Sequence, residues 1–304
     1  MSSIDYTVHE FQSADDLFNM LSPTNIKSKG EMISLKFRGH ANSDWKLIPS
    51  ALRPGFHLNS SLLGKILNIR DVIVNEVITL NMFAHACDRV GISIPNDSTM
   101  FRDEALNPTS IFNQTFLTHP ELWPGQRFYE IMAMAQHHGV ATRLLDWSES
   151  PYVAAYFSAS GALLNMEDSE WDKQRLAIWV VRTPLADNLQ KLKFIKVPGS
   201  VSKHLSSQRG MFSIHPMDSY SDNLTDTLGL EELGLAEQGI DFYKLTLPTT
   251  ESIRLLYLCS MAGFTAASLF PSADGAGRSV NEELLKKKAI KKLNLNFDGS
   301  KHEN

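Results

Sequence analysis

The chain has 304 residues, 43% of them apolar and 21% charged, with a net charge of −5. That composition suits a globular protein able to bury a core without disulfide staples. It excludes an overall basic surface, so any nucleic-acid contact has to come from a local patch. The two cysteines, Cys87 and Cys259, lie far apart in apolar stretches and read as buried small hydrophobes, which suits a reducing compartment. Met1–Tyr6 carries no basic segment followed by an apolar run. The most apolar stretch, Leu255–Phe270, is interrupted by Ser260, Gly263, Thr265 and Ser268 and is too short and polar to cross a bilayer. The expectation is a soluble, cytoplasmic chain with no membrane partner.

Asp15–Leu21 reads as a short amphipathic helix and Pro23–Gly30 as a polar turn. Met32–Arg38 alternates as a strand that Gly39 ends. From Leu62 to Ala86 the residues Ile66, Ile69, Ile73, Val77, Leu80 and Ala84 share one helical face. Pro95, Pro108 and Pro120 make Gly91–Leu122 an elaborated loop region with a short helix. A helix is predicted from Pro124 to about His138, stopped by Gly139. An extended segment follows over Val140–Trp147, and Ser150-Pro151 starts another helix through Ala159. Leu176–Val181, Gly210–His215 and Phe242–Leu247 are predicted strands, with an acidic loop over Asp218–Gly239 before the last of them. Glu251–Met261 reads as a helix, Phe270–Gly275 as a turn, and Val280–Leu293 as a final helix whose five lysines near the end favour its dipole. Helices and strands mix without regular βαβ alternation, so the predicted class is α+β, with a mixed, mainly antiparallel sheet.

Three polar groupings sit where strand ends and turns can aim side chains into a cleft. In Phe37-Arg38-Gly39-His40 an arginine at a strand end can project its fork at an anionic or carbonyl-bearing ligand, and glycine admits a close approach. The same arginine can equally be paired to a carboxylate such as Asp146. The second grouping, Gln136 to Ser148, packs His137, Thr142, Arg143, Asp146, Trp147 and Ser148 into 13 residues. Arg143 and Asp146 there are either ligand groups or a structural ion pair. With no cysteine cluster and no His-x-x-x-His spacing, no metal is expected. The third, Ser206 to Phe212, contributes Gln208, either a ligand-binding amide or an ordinary loop residue. No phosphate loop, nucleophile elbow or dinucleotide glycine fingerprint is present in the sequence.

These groupings resemble the FRG family, a bacterial-type domain named for its Phe-Arg-Gly motif. Phe37-Arg38-Gly39-His40 is followed by Trp45, Leu47, Ile48, Pro49 and Arg53. Gln136-His137-His138-Gly139 leads to Thr142-Arg143-Leu144-Leu145-Asp146-Trp147-Ser148. Then come Pro151, Ala154, Ala155 and Phe157, Gln208-x-Gly210-x-Phe212, and Gly263 with Leu269-Phe270-Pro271. The resemblance implies a single domain over 1–304 with its core at about 31–280 and a mainly helical insertion at about 60–138.

A more distant similarity, to ADP-ribosyltransferases of the arginine-serine-glutamate type, lies in three elements. They are Phe37-Arg38-Gly39, the run Leu145–Ser148 followed by Val153–Ala159, and the strand Ile178–Val181. It implies a split sheet and NAD as co-substrate. Arg38, Gly39, His137, Thr142, Arg143 and Ser148 would be binding residues, and Asp146 and Gln208 catalytic ones. Gln208 stands where the glutamate of that group is expected. The implied activity is transfer of ADP-ribose to a protein or nucleic-acid acceptor, or NAD cleavage, by a toxin or phage-defence effector with an antitoxin or other protein partner. A non-catalytic nucleotide sensor or a scaffold module stays open beside it.

Overall fold

A computed structural model describes residues 6–26, 33–53, 68–107, 109–110, 115–184, 192–199, 203–216 and 227–301. Among these, seven strands form one mixed sheet in the order β1-β7-β4-β2-β3-β6-β5. They are β1 (Tyr6–Glu10), β2 (Ile33–His40), β3 (Leu144–Ser148), β4 (Arg175–Pro184), β5 (Lys193–Ile195), β6 (Gly210–Ile214) and β7 (Asp241–Pro248). Only β1 and β7 pair in parallel; every other neighbour is antiparallel. The α+β class and the mainly antiparallel sheet are as the sequence predicts. The short strands β1 and β5 were not among the predicted elements.

Two helices flank β2 in the chain. α1 (Ala14–Met20) is capped by Ser13, and α2 (Ile69–Arg89) by a reciprocal Asn68–Asp71 box. α2 therefore starts later than the predicted Leu62, and Ile66 and the rest of 62–67 lie outside the described residues. Of the predicted stripe, Ile73, Val77, Leu80 and Ala84 are buried and Ile69 is half-buried, and Val72, Asn75 and Glu76 are buried beside them. Short helical turns fill the Pro-rich stretch that follows, and α3 (Tyr129–His137) ends where predicted. Pro108 is outside the described residues.

α4 (Pro151–Leu164) crosses the sheet face carrying Phe37, Ile178 and Leu245, and α6 (Ser252–Met261) packs beside it. A short helix α5 (Lys203–Ser207) precedes β6, and α7 (Ala266–Leu269) precedes the last helix. The opposite sheet face buries Leu47, Leu145, Trp147, Trp179 and Val181, while α2 and α3 share a third cluster with Leu144 and Phe212.

The last helix, α8, spans Ala273–Leu293 and so begins seven residues before the predicted Val280. The sequence predicts a turn over Phe270–Gly275 here. Instead, Ser272 Oγ accepts the Gly275 N–H at 3.3 Å and caps the helix. A side chain at Gly275 would run into the carbonyl oxygen of Phe270, so glycine is needed for close packing rather than for a bend. Of the predicted acidic loop, 227–239 forms two 3₁₀ turns, Leu230–Glu232 and Leu235–Gln238. Residues 218–226 lie outside the described residues. No helix among the described residues is long and apolar enough to cross a membrane.

Candidate functional site

The sheet is pinched in its middle. β2 pairs with β4 over eight registers, from Ile33–Pro184 to His40–Ala177, but meets β3 at the single pair Phe37–Ser148. Beyond that pair the Arg38–His40 end of β2 and the front of β3 part company. The gap leaves the Asp146 carbonyl without a strand partner, and a side chain supplies one: Arg38 Nη1 donates to it at 2.7 Å. The same Nη1 lies 3.5 Å from Asp146 Oδ2. The carbonyl bond is the short one. The carboxylate contact is long and involves a side chain that is 62% exposed, so it contributes little.

Alternation along β2 puts Arg38 and His40 on one face and Phe37 and Gly39 on the other. Arg38 Nε donates to His40 Nε2 at 3.0 Å, and His40 Nδ1 faces the Trp45 carbonyl at 3.3 Å. Burial lowers the proton affinity of both side chains, and Arg38 pushes His40 further down, well below the usual imidazole range. Gly39 faces α4. A Cβ there would collide with the Ala154 carbonyl oxygen and lie 2.6 Å from the Ser158 nitrogen. The glycine thus admits the close approach of a helix backbone.

A cleft of about 570 Å³ opens at this gap. Arg38, Gly39, His137, Asp146, Ser148 and Gln208 all line it, as do Trp45, Gln136, Phe157 and Phe270. Its size lies inside the roughly 300–1,000 Å³ range of small-molecule sites, and its mixture of apolar walls with a few polar groups is typical of them. The six predicted residues are therefore brought together from β2, the end of α3, β3 and the loop before β6.

Their hydrogen bonds divide them. Ser148 Oγ donates to the Gln208 carbonyl at 2.7 Å and accepts the Ser150 N–H at 2.9 Å, so it ties the start of α4 to the loop before β6. Gln208 Nε2 donates to the Leu269 carbonyl at 3.2 Å. The His137 ring lies 5.0 Å from that of His204, tilted by 40°. Desolvation, with His204 and His138 close by, holds His137 below the usual imidazole range, against the pull of Asp146.

Two predicted residues are elsewhere. Arg143 is fully buried and lines no part of the cleft. Its Nε and Nη2 donate to Glu76 at 2.7 and 2.8 Å, and its Nη1 donates to the His215 carbonyl at 3.2 Å. Glu76 also accepts the Trp123 indole N–H at 2.6 Å. Arg143 thus bolts β3 to α2. As a binding residue it is corrected to a core ion pair, and its partner is Glu76 rather than Asp146. Thr142 is also buried; its hydroxyl meets the Gln136 amide oxygen and its Oγ1 accepts the Leu144 N–H at 3.2 Å. It touches the cleft only through Gln136. Among the residues that line or brace the cleft, Trp45, Gln136 and His40 had no role assigned from sequence. For His40 the signal was present, because its two-residue offset from Arg38 on a strand places the two side by side.

Residues 34–166 match the model of the FRG domain, and the chain carries an FRG domain over that stretch. The match spans β2 through α4 and so includes every cleft residue named above except those from 204 onward. No curated protein and no solved structure matches the chain.

Proposed function

We propose that the cleft binds NAD or a related dinucleotide and that the protein is an NAD-dependent ADP-ribosyltransferase or NAD glycohydrolase. On this reading it is a toxin or phage-defence effector whose acceptor is a protein, a nucleic acid or water. The observation that carries the reading is the parting of β2 from β3, with a guanidinium on one lip and an exposed carboxylate on the other.

Several features support it. Arg38 lines the cleft and uses Nε and Nη1 for bonds inside the protein, so Nη2 is the group left to grip a diphosphate oxygen. The rings of Trp45, Phe157 and Phe270 offer flat apolar surface to a base or a nicotinamide ring. Asp146 is the exposed anion of the lining. An oxocarbenium-like transition state needs negative charge beside it, and the neutral Gln208 amide cannot provide that, so the role falls to Asp146. The loose Asp146–Arg38 contact allows its carboxylate to turn toward a ribose once a diphosphate engages Arg38.

The test is nicotinamide release from NAD by the purified protein, alongside growth arrest on expression. Arg38→Ala and Asp146→Ala, each with wild-type circular dichroism, are expected to lose at least tenfold in release and to relieve arrest. A second reading keeps the ligand and drops the chemistry. It is favoured by the amide at 208, which carries no negative charge for an oxocarbenium-like transition state. On that reading the protein is a nucleotide sensor: NAD binds, Arg38→Ala abolishes binding, and no nicotinamide appears. Absence of both binding and release removes both readings.

A further inference from the structure

We propose that His40 is a positioning residue for Arg38: it accepts the Arg38 Nε–H and thereby turns the Nη2 end of the guanidinium into the cleft. The proposal rests on the reading of Arg38 as the ligand-gripping residue. Free arginine side chains have many rotamers, and fixing one at the moment of binding costs affinity. Here the cost is met during folding. The guanidinium is held at two points, by His40 Nε2 at 3.0 Å and by the Asp146 carbonyl at 2.7 Å.

Accepting at Nε2 fixes the tautomer of His40. The proton has to sit on Nδ1, which then donates to the Trp45 carbonyl at 3.3 Å. A protonated His40 would present an N–H to the Arg38 N–H and break the contact. The surroundings prevent it. His40 is 5% exposed, and Arg38, Arg53 and Lys244 all press their positive charge on it. The Trp45 contact also couples the two cleft groups, because the same imidazole that orders Arg38 tethers the loop bearing the Trp45 ring.

The experiment has two arms. In the first, nitrogen NMR of the wild-type protein reads the His40 ring and the Arg38 Nε–H without any ligand. Expected are an Nδ1–H tautomer that does not titrate between pH 5 and 8, and a slowly exchanging Arg38 Nε–H. In the second, ADP-ribose affinity is measured for His40→Gln and His40→Leu. Glutamine places an amide oxygen near the Nε2 position and is expected to stay within about threefold of wild type, while leucine, of similar bulk but with no acceptor, loses tenfold or more. A His40 that titrates near 6.5, or leucine binding as well as glutamine, overturns the proposal. Failure of the wild type to bind ADP-ribose sinks the function proposed above, while the NMR arm still decides how His40 holds Arg38.

Discussion

Replacing Arg143 with methionine separates a structural motif residue from a functional one. The side chain is fully buried and makes two hydrogen bonds to Glu76, itself only 7% exposed, plus one to the His215 carbonyl. Methionine fills most of the volume but leaves the Glu76 carboxylate buried with the Trp123 indole as its remaining partner. Removing one member of such a buried pair costs about 3–5 kcal/mol, a large share of the roughly 5–15 kcal/mol that holds a typical domain together. Glu76→Gln together with Arg143→Met removes the uncompensated charge and keeps an acceptor for Trp123. The double variant is therefore expected to recover about 1–3 kcal/mol of that loss. Urea unfolding of the wild type, both single variants and the double variant gives the cycle directly. A single-variant cost below about 1 kcal/mol, or a stable Arg143→Met protein that has lost ADP-ribose binding, would refute the assignment of Arg143 to the core.

Other perturbations give equally distinct outcomes. Asp146→Asn is expected to change stability by less than about 1 kcal/mol, because the carboxylate is exposed and its ion pair long. The same variant raises affinity for inorganic diphosphate, by removing a competing anion from Arg38, while lowering nicotinamide release; parallel titration and product assay check both. Gly39→Ala forces a methyl group into the α4 backbone and is expected to cost about 2–3 kcal/mol or more in chemical denaturation. Two buried groups pull the pH profile in opposite directions. Burial presses His215 down to about 3 from 6.5, so its contribution is full above 6.5 and is lost as pH falls toward 3. Burial pushes Glu231 up to about 7 from 4.5, so its contribution is full below 4.5 and is lost as pH rises through 7. Between pH 7 and 5 each moves stability by about 2 kcal/mol with opposite sign. Burial also holds His40 below the imidazole range and so adds to the loss toward pH 5, and Glu231→Gln, which still accepts the Leu47 N–H, is expected to lose about 2 kcal/mol more than the wild type in urea unfolding between pH 7 and 5.

What could be read from the sequence follows from which interactions are local. The buried stripe of α2, the C-terminal end of α3 and the strands at 176–181 and 242–247 are set by local pattern, and the structure has them close to the expected places, whereas α3 starts at Tyr129, five residues after the predicted Pro124. α8 shows where local signals mislead. Gly275 and Gly277 look like a turn, but Gly275 answers to a carbonyl five residues away, a packing demand invisible in a helix propensity. The partner of Arg143 was out of reach for a similar reason. Glu76 lies 67 residues earlier on a helix face that reads as amphipathic with or without it. The parting of β2 from β3 also depends on pairing between segments more than 100 residues apart, and no pattern within either strand encodes it. The cleft lining was more accessible, because strand-end polar residues next to glycine and proline have few other uses.

The account stands or falls on whether a dinucleotide lies in the gap between β2 and β3. The most direct measurement is a crystal structure of the protein soaked with ADP-ribose. The account predicts a diphosphate oxygen within hydrogen-bond distance of Arg38 Nη2, a ribose hydroxyl turned toward Asp146 and a ring against Trp45, Phe157 or Phe270. Ligand bound elsewhere, or a cleft that stays filled by the Asp146 carboxylate and water at millimolar ADP-ribose, would contradict it.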